Sequence, residues 1–203
     1  MAHKSTFLTK FRRRREGKTD YSKRIALLKS GMPRFVVRHS SNGVLAQLVN
    51  AEKKGDIVLT MAHSKELASF GWKAHCGNLP AAYLTGLLAG LRAKEKKIEA
   101  ATLDIGLASP IHGSKVFAVL KGALDAGLKI AHNESALPKK ERIEGKHIED
   151  YAKKLGDAEL KKQFGACIKA GVDPKQMSAH FGKAKGEILK NPVVSKKQKG
   201  KKE

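Results

Sequence analysis

Arg34-Phe35-Val36-Val37-Arg38-His39, then Ser40-Ser41-Asn42-Gly43, then Val44-Leu45-Ala46-Gln47-Leu48-Val49-Asn50 is the stretch that decides the fold. Both outer runs have strand length and are rich in apolar and β-branched residues, and a four-residue polar break separates them. They read as antiparallel neighbours. Asn42-Gly43 tolerates positive φ and marks the hairpin turn. A third run, Ile57 to Ala62, follows Glu52-Lys53-Lys54-Gly55-Asp56 and completes a meander. Alternation places Arg34, Val36 and Arg38 on one face of the first strand, with Phe35 and Val37 on the core side.

Upstream, Thr19 and Asp20 can cap a helix from Tyr21 to about Ser30, stopped by Gly31 and Pro33. Downstream, Ser64 can cap a short helix through Phe70. A long helix then begins with Pro80 in its first turn and runs to about Lys97. Its apolar face, Tyr83 or Leu84 with Leu87, Leu88 and Leu91, lies on the sheet, and Gly86 and Gly90 permit close packing on a strand. Thr102 to Leu107 reads as a fourth strand. A helical crossover leads to it, so it joins parallel to an existing strand. Ser114 can cap a further helix that buries Phe117, Leu120 and Leu124 and ends at Gly127. The expected class is α/β: a mixed sheet of a three-stranded antiparallel meander plus one parallel strand.

After Leu137-Pro138 the composition turns to Lys and Glu with scattered apolar residues, which implies short helices that dock on a partner or on the main body. The expected organisation is a basic tail at 1–20, an α/β domain at 21–138, and a helical C-terminal extension with a disordered basic end at 139–203.

The charge is distributed unevenly over the 203 residues. Lys plus Arg number 41 against 19 Asp plus Glu, giving +22. Residues 1–38 carry +10 and residues 139–203 carry +9, whereas the hundred between them carry only +3. A merely solubilising surface does not need its charge at both ends. The pattern points to a polyanion, with the first twenty residues and Ser195 to Glu203 disordered until neutralised. Seven Phe, three Tyr and one Trp are too few for an aromatic-rich stacking platform. Cys76 and Cys167 supply no disulfide framework, so a reducing compartment is expected. Leu79 to Leu91 is too short to span a bilayer, and no apolar segment follows Arg12 to Arg15 as in a secretory signal; an Arg-rich transit peptide stays open.

Catalytic readings lack the residues they need. A meander followed by helix and parallel strand also occurs in ribonuclease H-like nucleases, whose two metal ions require several converging carboxylates. Asp104 is one candidate, but the first strand offers no carboxylate, and Glu95 and Glu99 fall at the far end of the long helix. Asp104 has a plainer role as partner of a helix N-terminus or a basic side chain. His75-Cys76 lacks zinc-ligand spacing, and no base is nominated for Cys76 as a nucleophile. No cofactor or metal is implied. A binder of acidic membranes or acidic proteins is the alternative, but the arginine block has no interleaved leucines. RNA is favoured over DNA because no reading helix or dimer motif is visible.

The order of motifs carries a resemblance. Thr19-Asp20-Tyr21, Leu27-Leu28-Lys29-Ser30-Gly31, Pro33-Arg34, Gly71-Trp72, Gly77-Asn78, Pro80 through Gly90, Leu103-Asp104-Ile105-Gly106-Leu107 and Gly113 through Ala118 resemble the archaeal and eukaryotic branch of the large-subunit ribosomal protein L-eighteen family. The likeness continues through Gly145-Lys146-His147-Ile148 and Asp173-Pro174. It implies a non-enzymatic protein of the cytoplasmic large ribosomal subunit that binds 5S ribosomal RNA and helps attach it to the 23S-type RNA at the central protuberance. Ribosomal protein L-five and other central-protuberance proteins would be neighbours, with no membrane partner. Carried over by position, the RNA-facing residues implied are Arg12, Arg13, Arg14, Arg15, Tyr21, Arg24, Arg34, Arg38, Gln47, Trp72, Asn78 and Lys115. Ser41-Asn42-Gly43 departs from the family's more basic first hairpin.

Overall fold

The computed structural model describes residues 8–191. Four strands, β1 (Arg34–His39), β2 (Val44–Glu52), β3 (Gly55–His63) and β4 (Thr102–Asp104), form one sheet in the order β3-β2-β1-β4. β1 pairs antiparallel with β2, matching Phe35 to Leu48 and Val37 to Ala46, and parallel with β4, matching Phe35 to Leu103. The mixed α/β architecture expected from the sequence is the one observed. The hairpin forms without the expected backbone, because neither Asn42 nor Gly43 takes a positive φ. The four residues of the polar break bridge the strands. Ser40 N–H donates to the Gly43 carbonyl at 2.8 Å, and Gly43 N–H donates to Ser40 Oγ at 3.1 Å. β4 also stops three residues early: the Asp104 carboxylate accepts the Gly106 N–H at 2.8 Å, an Asx turn that curls the chain out of the sheet.

The face bearing Phe35, Val37, Ala46, Leu48 and Ala62 is buried beneath α3 (Leu79–Glu95) and α4 (Lys115–Asp125). α3 is buried on nearly every side from Leu79 to Gly90, because it lies between the sheet, α4 and the C-terminal helices. Gly86 does allow a close approach, but to α4 and not to a strand. A Cβ on Gly86 would overlap the Val119 carbonyl, and one on Gly122 the Tyr83 carbonyl, so the two helices cross backbone to backbone. The 3-10 turn at Ser64–Phe70 is capped by His63 and not by Ser64. Ser64 Oγ is buried and accepts the Val44 N–H at 2.9 Å, tying the turn to β2. Ser114 precedes α4 without a side-chain cap bond. Arg92 donates to the Met61 carbonyl at 2.6 Å and Lys96 to that of Leu59, so cations cover the edge strand β3.

On the other side of the sheet, α2 (Tyr21–Leu28) begins at Asp20, whose carboxylate accepts from Ser22 N–H and Lys23 N–H at 3.0 and 3.2 Å. Residues 8–20 are not featureless, because α1 (Arg12–Arg15) makes one helical turn. The disorder expected for residues 1–7 and Ser195 to Glu203 lies outside the described residues. Past residue 138 come α5 (Lys140–Glu144), α6 (Lys146–Lys154), α7 (Asp157–Lys169) and α8 (Met177–Lys190). Met177, Phe181, Ala184 and Ile188 join the same apolar core as Trp72 and Tyr83, which docks α8 on the body. The Glu149 carboxylate on α6 accepts the Ser178 N–H at 2.6 Å and so caps α8 from a neighbouring helix.

Candidate functional site

α1 exposes all four of its arginines in a single turn. Arg13 Nε donates to Thr19 Oγ1 at 2.8 Å, and the Phe11 and Tyr21 rings lie 5.4 Å apart, which folds the segment back against the start of α2. Arg12 and Lys18 both contact Glu16, at 3.7 and 2.8 Å. Exposed pairs of this kind hold about 0–1 kcal/mol and exchange readily for a stronger anion.

Between this segment and the sheet runs a groove of about 1390 Å³. Its floor is the sheet face opposite the core, where Arg34, Val36 and Arg38 alternate as expected and Gln47 pairs with Val36 across β1 and β2. Arg13, Lys18 and Lys23 stand on the facing wall. Along the floor a chain of ion pairs joins four elements. Arg24 of α2 grips Asp56 of β3 with two hydrogen bonds of 2.9 and 2.7 Å. Arg34 donates to Asp56 at 2.8 Å and to Asp104 at 2.8 Å, and Arg38 donates to Asp104 at 3.1 Å. Three guanidinium groups against two carboxylates leave one positive charge. The two ends of the chain, Arg24 and Arg38, are 34% and 46% exposed, while Arg34 between the carboxylates is only 4% exposed. Burial on its own would raise the Asp56 carboxyl, but hydrogen bonds from Arg24 and Arg34, with their charges, hold it below the ordinary value. Arg24 is raised in turn, chiefly by its hydrogen bond to Asp56.

The residues nominated from the sequence divide into three groups. Tyr21, Arg24, Arg34, Arg38 and Gln47 meet in the groove with Arg13, whose neighbours Arg12, Arg14 and Arg15 share its exposed turn but do not line it. Lys115 lies at the start of α4, and its Nζ donates to the Ser40 carbonyl at 3.0 Å, bracing the β1–β2 turn. Trp72 and Asn78 are elsewhere. Trp72 is 1% exposed and stacks on His180 at 5.1 Å, and Asn78 Oδ1 accepts the Ala81 N–H at 2.9 Å as the cap of α3. Sequence reasoning missed Asp56, the hub between Arg24 and Arg34. Nothing local marks it, because its partners lie 32 and 22 residues away. It also missed Gly106, whose backbone lies against the Arg38 guanidinium. Asp104 is paired with Arg34 and Arg38, the plainer of the two roles expected for it.

Comparison with known proteins adds two findings. The family model described as ribosomal large subunit proteins 60S L5, and 50S L18 matches residues 5–100 and 92–133. The large ribosomal subunit protein uL18 of Methanococcus maripaludis is 50% identical over 191 residues, spanning 93% of this chain and 99% of the relative.

Proposed function

The chain belongs to the family of ribosomal large subunit proteins 60S L5 and 50S L18, structural and non-enzymatic components of the large ribosomal subunit, and on that premise we propose that it binds 5S ribosomal RNA. It thereby helps attach that RNA to the large-subunit RNA in the central protuberance, beside ribosomal protein L-five. The observation that carries this reading is the cationic groove. It brings Arg24, Arg34 and Arg38 together with the exposed Arg12–Arg15 turn on the one sheet face that α3 and α4 do not cover. Phosphates neutralised there release counterions, which drives binding without chemistry. In this reading residues 1–20 are the basic tail, residues 21–138 the RNA-binding body, and residues 139–203 an extension docked through α8. Arg12, Arg13, Arg14, Arg15, Tyr21, Arg24, Arg38 and Gln47 face RNA. Arg34 acts from beneath the surface by holding the two aspartates.

Equilibrium binding to a 5S ribosomal RNA transcript in excess transfer RNA tests the proposal. With six or more phosphates neutralised, affinity falls by about 10³ between 50 and 200 mM salt. Equal affinity for both RNAs, or a flat salt response, refutes it. Tighter binding to anionic vesicles than to the transcript favours the membrane reading instead.

A further inference from the structure

Arg38 is held in a way that a simple phosphate contact does not require. A Cβ built on Gly106 would lie 2.7 Å from Arg38 Cζ and 3.0 Å from both Nη1 and Nη2. Given C–N bonds of about 1.33 Å, a point straight above Cζ at that range is about 3.0 Å from each Nη, whereas a point in the guanidinium plane between them is roughly 2.3 Å away. Gly106 therefore lies against the flat face of the guanidinium. Its φ of +66° and its lack of a side chain are what let the backbone come so close. The edge of the group is fixed as well. Nη1 donates to the carbonyls of Val37 and Asp104 at 2.8 and 2.9 Å, and Nη2 donates to Asp104 Oδ1 at 3.1 Å.

One face is covered and three of the five N–H donors are bonded, yet the side chain as a whole stays 46% exposed. Arg38 lines the groove together with Leu107, which is 58% exposed on the loop after β4. A planar cation fixed in position next to an exposed apolar side chain matches the flat, polarisable surface of a nucleobase. Unstacked bases of RNA stack on guanidinium planes as they do on aromatic rings. A phosphate calls for a free fork of N–H donors, and the carbonyls of Val37 and Asp104 with the Asp104 carboxylate already occupy most of this one. Scarcity of aromatic residues in the chain makes an arginine platform the available device.

We propose that Arg38, backed by Gly106 and held by Asp104, is a stacking platform for one unpaired base of the bound RNA. This deepens the reading that the groove meets 5S ribosomal RNA and rests on it. The test pairs protein variants with abasic substitutions scanned through the unpaired nucleotides of a 5S transcript, each of which removes a base but keeps its phosphate. Arg38→Lys keeps the charge and loses the plane. It weakens binding about five- to hundred-fold with an unchanged salt slope. Gly106→Ala, which displaces the guanidinium, has a loss of the same kind, and thermal melting of both variants confirms the fold. At one nucleotide the abasic change weakens the wild type by a similar factor, and that loss does not multiply with the loss in Arg38→Lys. Binding of Arg38→Lys within about twofold of wild type, or losses that multiply at every position, overturns the proposal while the RNA-binding reading stands. Wild-type protein that ignores the transcript removes both.

Discussion

Replacing Asp104 by alanine probes the ion-pair chain at its most buried link. The Asp104 carboxylate accepts three hydrogen bonds, from Arg34 Nη1 at 2.8 Å, Gly106 N–H at 2.8 Å and Arg38 Nη2 at 3.1 Å. Its side chain is 8% exposed and that of Arg34 is 4% exposed. Among the described residues Arg34 Nε has no partner, so the deletion leaves a buried guanidinium with Asp56 as its remaining carboxylate. Removing one member of a buried pair costs about 3–5 kcal/mol, most of it the stranded charge. Arg38 adds little because it is half in water. At about 2–4 °C per kcal/mol for a chain of this size, Tm falls by roughly 6–20 °C. Asp56→Ala costs less, since Asp56 is 30% exposed, water reaches Arg24, and the buried Arg34 keeps its bond to Asp104. The double variant Arg34→Met, Asp104→Ala recovers much of the loss, because the uncompensated charge goes with its partner. Differential scanning calorimetry at pH 7 reads all three. The reasoning is refuted if Asp104→Ala melts within about 2 °C of wild type, or if the double variant is no more stable than the single one.

Other measurements follow from the same geometry. Asp56, held below the ordinary carboxyl value, adds stability that is present above about pH 4 and is lost as pH falls through its lower folded value; acid titration of Asp56→Asn should show a shallower loss. His180 is lowered by burial, then by Lys183 and Lys73, and its Nε2 accepts the Lys73 N–H at 3.2 Å, so the unfolded chain binds the extra proton. Its contribution is therefore complete above about pH 6.5 and fades on acidification. His180→Phe, which keeps a ring on Trp72, should narrow the Tm difference between pH 7.5 and 5.5. The narrowing is partial because burial and Arg142 lower His147 in the same sense. Gly86→Ala forces α3 and α4 apart and costs at least the ~1–3 kcal/mol typical of overpacking, while Gly182→Ala, with nothing within 4 Å, gains about 0.4–1 kcal/mol; chemical denaturation distinguishes them. Replacing Arg12 to Arg15 with alanine should flatten the salt slope of RNA binding with little change in Tm, and an unaltered slope removes the N-terminal turn from the interface.

The sheet was legible because its information is local. β1 matches the expected Arg34–His39 at both ends, and the Asp20 cap fixes the start of α2. The parallel placement of β4 follows from the helix that precedes it. What the sequence concealed depends on distant partners. Gly86 reads from the sequence as a contact with a strand, and only the crossing with Gly122 shows that its partner is α4. Ser64 looks like a cap, but the Val44 N–H takes its hydroxyl and leaves the capping to His63. The same limit applies to the site. Alternation put Arg34 and Arg38 on one face, but only the fold distinguishes a buried Arg34 between two aspartates from a half-exposed Arg38. The resemblance put Trp72 among the RNA-facing residues, and its 1% exposure places it in the core.

Site-directed photocrosslinking in intact large subunits tests the central claim most directly. With the photoreactive group at Lys18, Lys23 or Gln47, along the groove between the N-terminal turn and the sheet, the adducts should map to 5S ribosomal RNA. Adducts confined to proteins or to other RNA from all three positions would contradict the account.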